Sequence, residues 1–346
     1  MKNNIEIYAL MQNAIKEKAT PGVSYCLNNI KSPENETVYL GFKNYAHQSK
    51  INSGCIYDLA SLTKVIATTT RILQLLSENK IILTTTVSSI LPDTPYSKIT
   101  IKNLLLHNSG LPADLENVSS YRDKEDVLYA IKHQNLVYKT GTNMIYSDIN
   151  FILLGLIIEK IDRMSLDKSI AEHLLKPLNL THTGYCLDKT YDVSNFVPTE
   201  QTPTRGTLCG KVHDETAGKL SGVSGNAGLF STLDDLKKFC AMYLNKGTYN
   251  GKNIIPAEYI ESLFNYNFLG RTLGWKRWDK NSHTLWHTGF TGTSIALDFD
   301  NNSYYICLTN RVNPTRANKK WLNIRRLAIG LFFEKPELLP TIDESK

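Results

Sequence analysis

Apolar positions along this chain switch between helical and strand periods. Residues 1–18, "MKNNIEIYALMQNAIKEK", alternate charged and apolar residues as an amphipathic helix does. "PGVSYCL" and "ETVYLGFKNY", rich in Val, Tyr and Phe, then read as the two strands of a hairpin. "IYDLA" is a short strand leading into Ser61. Beyond it Leu62, Val65, Ile66, Thr69, Leu73 and Leu76 recur at helical spacing, which predicts an amphipathic helix over 61–79 with Ser61 in its first turn.

The middle, 86–265, is a run of helices and long loops. "ITIKNLLLHNSGLP", "DKEDVLYAIKHQ", "NFILLGLIIEKID", "LDKSIAEHLLKPLNL", "STLDDLKKFCAMYL" and "PAEYIESLFN" each carry helical period or caps. The stretch 186–228 is polar and aperiodic, and loops of that length are functional or mobile. After Gly270 alternation returns in "LGWKRW", "HTLWHTG", "TSIALDFD" and "YYICLTN", a meander of antiparallel strands with "DFDNNSYY" as one turn. A last helix covers 314–335. Strands at both ends and helices between predict an α/β (α+β) fold. Its antiparallel sheet, flanked by helices, would be built from residues 1–85 plus 266–346, with an all-helical domain, 86–265, inserted into it.

With 42% apolar and 21% charged residues the composition is that of an ordinary globular chain, and 346 residues supply ample core. The net charge of +6 is spread out. No basic stripe with interleaved aromatics appears, which argues against a nucleic-acid partner. "FILLGLII" is the longest apolar run and is too short to span a bilayer core of about 30 Å. The N-terminus has no continuous apolar region and no small-residue cleavage site. The expected location is therefore cytoplasmic, or extracytoplasmic if an export signal has been removed. Cys26, Cys55, Cys186, Cys209, Cys240 and Cys307 form no CxxC pair and read as reduced thiols. The histidines show no ligand spacing, so neither a metal nor another cofactor is expected.

Candidate chemistry begins with "YDLASLTKV". Ser61 and Lys64 stand in an (i, i+3) relation that stacks hydroxyl and amine on one helix face. A helix N-terminus beside a nucleophile offers unsatisfied N–H groups to an oxyanion. A lysine on an apolar face loses hydration, which is expected to lower its pKa toward the range of a base. The spacing alone is weak evidence, because Ser77–Lys80 and Ser165–Lys168 match it too, in polar flanks that read as wet helix surface. Taken by itself, the first pair is equally well a nucleophile with its base or an incidental serine and lysine. "VHDE" adds His213 and Asp214, whose adjacent side chains point apart and form no relay by themselves; they read as loop or cleft residues. No G-x-S-x-G elbow, Walker A or dinucleotide fingerprint is present.

Two further stretches lie downstream: Tyr146-Ser147-Asp148 ahead of an apolar helix, and His287-Thr288-Gly289 on a predicted strand. In order, S-x-x-K, Y-S-D and H-T-G resemble the three active-site motifs of the serine β-lactamase and penicillin-binding protein superfamily. The pattern is that of class C β-lactamases, D-alanyl-D-alanine carboxypeptidases and related esterases. "LLLHNSGLP" (104–112) and "GVSGNAGLFST" (222–232) also look like family segments. The resemblance implies a cofactor-independent serine hydrolase. Ser61 would form an acyl-enzyme and Lys64 and Tyr146 would share the base role, the phenol serving only where adjacent cations favour its phenolate. The oxyanion hole would combine the backbone N–H of Ser61 with that of Phe290, while Asp148, His287, Thr288 and Gly289 line the substrate site.

Two departures stand out. The second motif usually ends in Asn, here Asp148, which would place a negative charge near the acyl side chain or hold Lys64 in position, and the third usually begins with Lys, here His287. A histidine is charged only below about pH 6.5, so any help in holding a substrate carboxylate would fade across neutral pH. The implied substrate is a small molecule or peptide: a D-alanyl peptide or a small ester ranks ahead of a β-lactam. A non-catalytic relative that only binds wall peptide or antibiotic is the alternative of another class.

Overall fold

The computed structural model describes residues 3–32 and 35–335. Strands β1 (Gly22–Asn29) and β2 (Asn35–Gly41) come from the N-terminal part of the chain. Two short strands follow, β3 (Tyr57–Asp58) and β4 (Gly184–Tyr185), then β5 (Leu229–Ser231). The C-terminal meander gives β6 (Thr284–Thr288), β7 (Ser294–Asp298) and β8 (Ser303–Thr309). The main sheet has the order β6-β7-β8-β1-β2, antiparallel throughout, so residues from both ends of the sequence build it as expected.

Strand period two decides what covers each face. Val23, Tyr25 and Leu27 pack with Trp286, Ala296, Tyr305 and Cys307 against helices α1 (Asn3–Lys16) and α5 (Lys320–Phe332). The residues between them, including Cys26, Ile295, Ile306 and Leu308, join the larger core with the helical region. There α4 (Leu233–Leu244) lies against β8 through Leu236, Phe239 and Cys240. Both faces being covered, β1 and β8 are buried along nearly their whole length.

The helix after Ser61 starts as a π-helical stretch, Lys64–Thr69, and continues as α2 (Thr70–Ser77). A second apolar helix, α3 (Asp148–Asp162), crosses it with Ile149, Phe151, Ile152, Leu153, Leu154, Ile157 and Ile158 all buried. Where the 222–228 loop passes α3, a Cβ on Gly225 would sit 2.1 Å from the Phe151 carbonyl oxygen. Only glycine permits that backbone approach. The Gly225→Ala variant is therefore expected to lose about 3 kcal/mol and roughly 5 °C in Tm, checked by thermal denaturation.

Three expectations need correction. The inserted region 86–265 is not all-helical: β4 and β5 lie within it and pair with one another, and β5 also pairs with β3. "LGWKRW" (273–278) is not a strand: Thr272 N–H donates to the Trp275 carbonyl, the chain reverses, and only the single bridge Lys276↔Trp286 touches the sheet edge. Its alternation reflects consecutive reversals with both sides buried. The last helix is also shorter than 314–335, since residues up to Lys319 form turns before α5 begins. No helix among the described residues is long and apolar enough to cross a membrane.

Candidate active site

The chain enters the site through a strained turn. Ala60 has φ +47°, a left-handed value uncommon for a residue with a Cβ. Its N–H donates to Asp58 Oδ1 at 2.8 Å, and the other carboxylate oxygen accepts from His213 N–H at 2.7 Å. Burial pushes the Asp58 carboxyl up, and these two donors pull against it. After Ala60, i→i−3 bonds from Leu62, Thr63 and Lys64 wind the helix, leaving Ser61 half-buried at its very start.

Lys64 is the centre of the cluster. Its Nζ is fully buried and reaches Ser61 Oγ at 3.0 Å, the Asn226 carbonyl oxygen at 2.9 Å and Asp148 Oδ1 at 2.7 Å. An ammonium has three protons, and here it meets three acceptors. The Tyr146 ring lies beside it, centroid 5.0 Å away, and the Phe151 ring at 5.8 Å. Burial alone would lower the Lys64 pKa, as expected from the sequence. The Asp148 charge and the Tyr146 hydroxyl outweigh burial, and the net shift is upward. That overturns the expectation of a depressed lysine: Lys64 is held as a cation.

The Tyr146-Ser147-Asp148 stretch is fixed by the 104–112 segment. Ser147 caps α3, its hydroxyl accepting from Asn150 N–H and donating to the Pro112 carbonyl at 2.6 Å. Ser147 N–H donates to His107 Nδ1 at 3.0 Å, and Asp148 N–H to the Ala113 carbonyl at 2.7 Å. The His107 ring lies against Tyr146, tilted by 38° with ring centroids 4.6 Å apart. The 222–232 segment supplies Asn226 to Lys64, and its β5 pairs with β3 immediately ahead of Ser61.

His287, Thr288 and Gly289 lie on and just after the edge strand β6. Beyond them Thr291 Oγ1 donates to the Asp58 carbonyl and Thr293 Oγ1 to the Leu59 carbonyl, at 2.8 and 3.0 Å. A Cβ on Gly289 would lie 2.4 Å from the Leu59 oxygen, so the third motif runs against the turn that presents Ser61. Phe290 is half-buried, with His213 stacked on its ring at 5.4 Å. His287 is buried, and its Nδ1–H donates to the Thr288 carbonyl at 3.0 Å. Burial, together with Arg271, Lys276 and Lys64, holds its pKa well below the ordinary value. It stays neutral throughout the neutral range, so the loss of charge at position 287 is complete rather than gradual.

Comparison with known proteins follows the same lines. The sequence signature described as Beta-lactamase matches residues 8–329. The chain belongs to the β-lactamase family. This hydrolase-family chain is 33% identical over 316 residues to the N-acetylmuramyl-L-alanine amidase of Bacillus subtilis, covering 79% of its own length and 72% of the relative. It is 33% identical over 313 residues to a putative D-alanyl-D-alanine carboxypeptidase of Escherichia coli, covering 78% and 72%. A solved class C β-lactamase shares the fold with TM-score 0.76 at 16% identity, over 96% of each chain.

Among the neighbours of this β-lactamase-family site, Arg271, Glu200 and Arg316 escaped the sequence reading, which had named His213 and Asp214 only as loop or cleft residues. Arg271, buried, places its Cζ 4.8 Å from the Tyr146 ring centroid. Asp214 caps the helix Glu215–Lys219, and burial together with the Asp148 charge pushes its carboxyl up. His213 pairs with Glu200, Nε2 to Oε2 at 3.0 Å, and Arg316 joins the same oxygen at 2.6 Å. Against burial, His213 and Arg316 hold the Glu200 carboxyl down at about 2. None of these residues stands at a local spacing from Ser61, so no periodic signal points to them.

Proposed function

We propose that this chain is a serine hydrolase that cleaves a small amide or peptide bond, of the D-alanyl or muramyl-peptide kind, through an acyl-enzyme at Ser61. One observation carries the reading: the buried Lys64 Nζ lies within hydrogen-bond distance of the Ser61 hydroxyl, the Asn226 carbonyl and the Asp148 carboxylate, an arrangement that favours an ammonium. An ammonium so held orients the nucleophile and cannot take its proton. That leaves Tyr146 as the base. The phenolate oxygen takes the Ser61 proton as Oγ bonds to the substrate carbonyl carbon, and the carbonyl electrons move to oxygen. The backbone N–H groups of Ser61 and Phe290 would receive that oxyanion. Tyr146 returns the proton to the leaving nitrogen as the scissile bond breaks, and water repeats the cycle on the acyl-enzyme. The names of the two sequence relatives support amide chemistry.

A second reading, hydrolysis of small esters, is favoured by the neutral His287. That position offers no charge to a substrate carboxylate, so a leaving group without one suits the site. The test is intact-mass analysis after exposure to a fluorophosphonate and to a fluorescent penicillin, followed by turnover of D-Ala-D-Ala peptides, muramyl-L-alanine peptides and p-nitrophenyl esters. An adduct on the Ser61 peptide with amide turnover at least tenfold above ester turnover is the expected result. Adduct with ester turnover alone selects the second reading. No adduct with either probe, and no turnover, marks a binding protein.

A further inference from the structure

Four groups face the Tyr146 ring from different elements. Lys64 comes from the helix after Ser61, with Nζ 5.0 Å from the ring centroid, and His107 from the 104–112 segment at 4.6 Å. His287 comes from β6 at 6.0 Å, and Arg271 from the reversal of chain before β6 at 4.8 Å. Both imidazoles are neutral, because burial and the surrounding cations, Arg271 and Lys64 among them, press their pKa values far down. Of the two cations, Lys64 has its charge offset by Asp148 at 2.7 Å. Asp214 lies near that pair, and Lys276 acts on the two imidazoles. Arg271 differs from all of these. It is 3% exposed, its Nη1 has no hydrogen-bond partner, and it pairs with no carboxylate among the described residues.

A buried guanidinium without a counter-ion is costly, and stacking on one ring recovers only part of the loss. Burial pushes Arg271 down to about 10, which leaves it charged at neutral pH. Its place is fixed by the loop around it. Arg271 exchanges backbone bonds with Phe268, Gly274 N–H donates to the Leu105 carbonyl, and Lys276 exchanges two bonds with Trp286 on β6. The loop thus ties the edge strand to the helix Ile101–Leu105 that precedes His107. Tyr146 lies between them.

We propose that Arg271 is a positioning residue for proton transfer, its uncompensated charge holding Tyr146 in the proton-accepting form. The inference rests on the reading of Tyr146 as base. A single opposite charge within several ångströms of a titrating oxygen changes its proton equilibrium by about ten- to a hundredfold or more. The Arg271→Met variant is therefore expected to lose about ten- to a hundredfold in kcat/KM for p-nitrophenyl acetate at pH 7. The low-pH limb of its pH profile should move up by about one to two units, with activity recovering at high pH. Arg271→Lys, which keeps the charge, should bring the limb back toward the parental position.

A limb that stays in place in Arg271→Met, or losses equal at every pH in both variants, overturns the proposal. If Arg271→Met does not fold by circular dichroism, Arg271→Gln, which keeps a planar polar head in the same space, decides on the same limb. Tyr146→Phe measured alongside separates the two levels. Full activity in Tyr146→Phe removes the base reading and this inference with it. An inactive Tyr146→Phe with an unmoved Arg271→Met limb removes only the role of Arg271.

Discussion

Ser61→Ala is expected to lose turnover of every substrate the parent accepts by about 10⁴-fold or more, and to give no adduct with a fluorophosphonate. Among the described residues the hydroxyl forms no other side-chain bond than the one from Lys64 at 3.0 Å, so its removal should leave the fold intact. An unchanged or slightly raised Tm is expected, since catalytic groups are often held at some cost in stability. Steady-state rates, intact mass and a thermal scan on the same preparation check all three. Retained turnover with a native melt would place the nucleophile elsewhere.

Lys64→Met carries the second largest effect, and it acts on stability as well as rate. The side chain volume is nearly kept, but the buried ammonium is gone and Asp148 loses its partner at 2.7 Å. Breaking a buried pair from one side costs about 3–5 kcal/mol, and the low end applies because the Asp148 side chain is 14% exposed and can recruit water. Catalysis should fall by on the order of 10³-fold, because Ser61 loses the donor that orients it. The pH dependence has a definite sign. Lys64 has a folded-state pKa above its unfolded value, so its contribution to stability is present in full at neutral pH. It is lost only when pH rises through that elevated value. Urea denaturation of parent and variant at pH 7 should thus show the full difference. Equal midpoints would mean that the ion pair contributes nothing.

If Lys64 is a fixed cation, the departures of this chain from the usual motifs become connected. Asp148 in place of Asn keeps the lysine protonated, and His287 in place of Lys removes a charge from the third motif. Arg271 places a buried positive charge against the Tyr146 ring. The electrostatics of the site are therefore rearranged rather than simply weakened.

The sequence by itself determined what local periodicity can encode. The apolar patterns of 21–27, 283–289, 293–300 and 304–310 specified strands, and helical spacing after Ser61 put its hydroxyl and the Lys64 amine on one side of a turn. Motif order then pointed to Tyr146, Asp148 and the stretch from His287 to Phe290. Tertiary structure alone decided the charge state of that assembly. Lys64 reads as a depressed base when only its apolar helix is considered, and becomes a held cation once Asp148 arrives from the start of α3. Arg271 sits just ahead of a stretch that mimics a strand, and its contact with Tyr146 depends on a reversal set by bonds to distant backbone. The physical reason is one of range. Secondary structure follows from neighbours a few residues apart, whereas proton affinity follows from every charge within several ångströms, whatever its position in the chain.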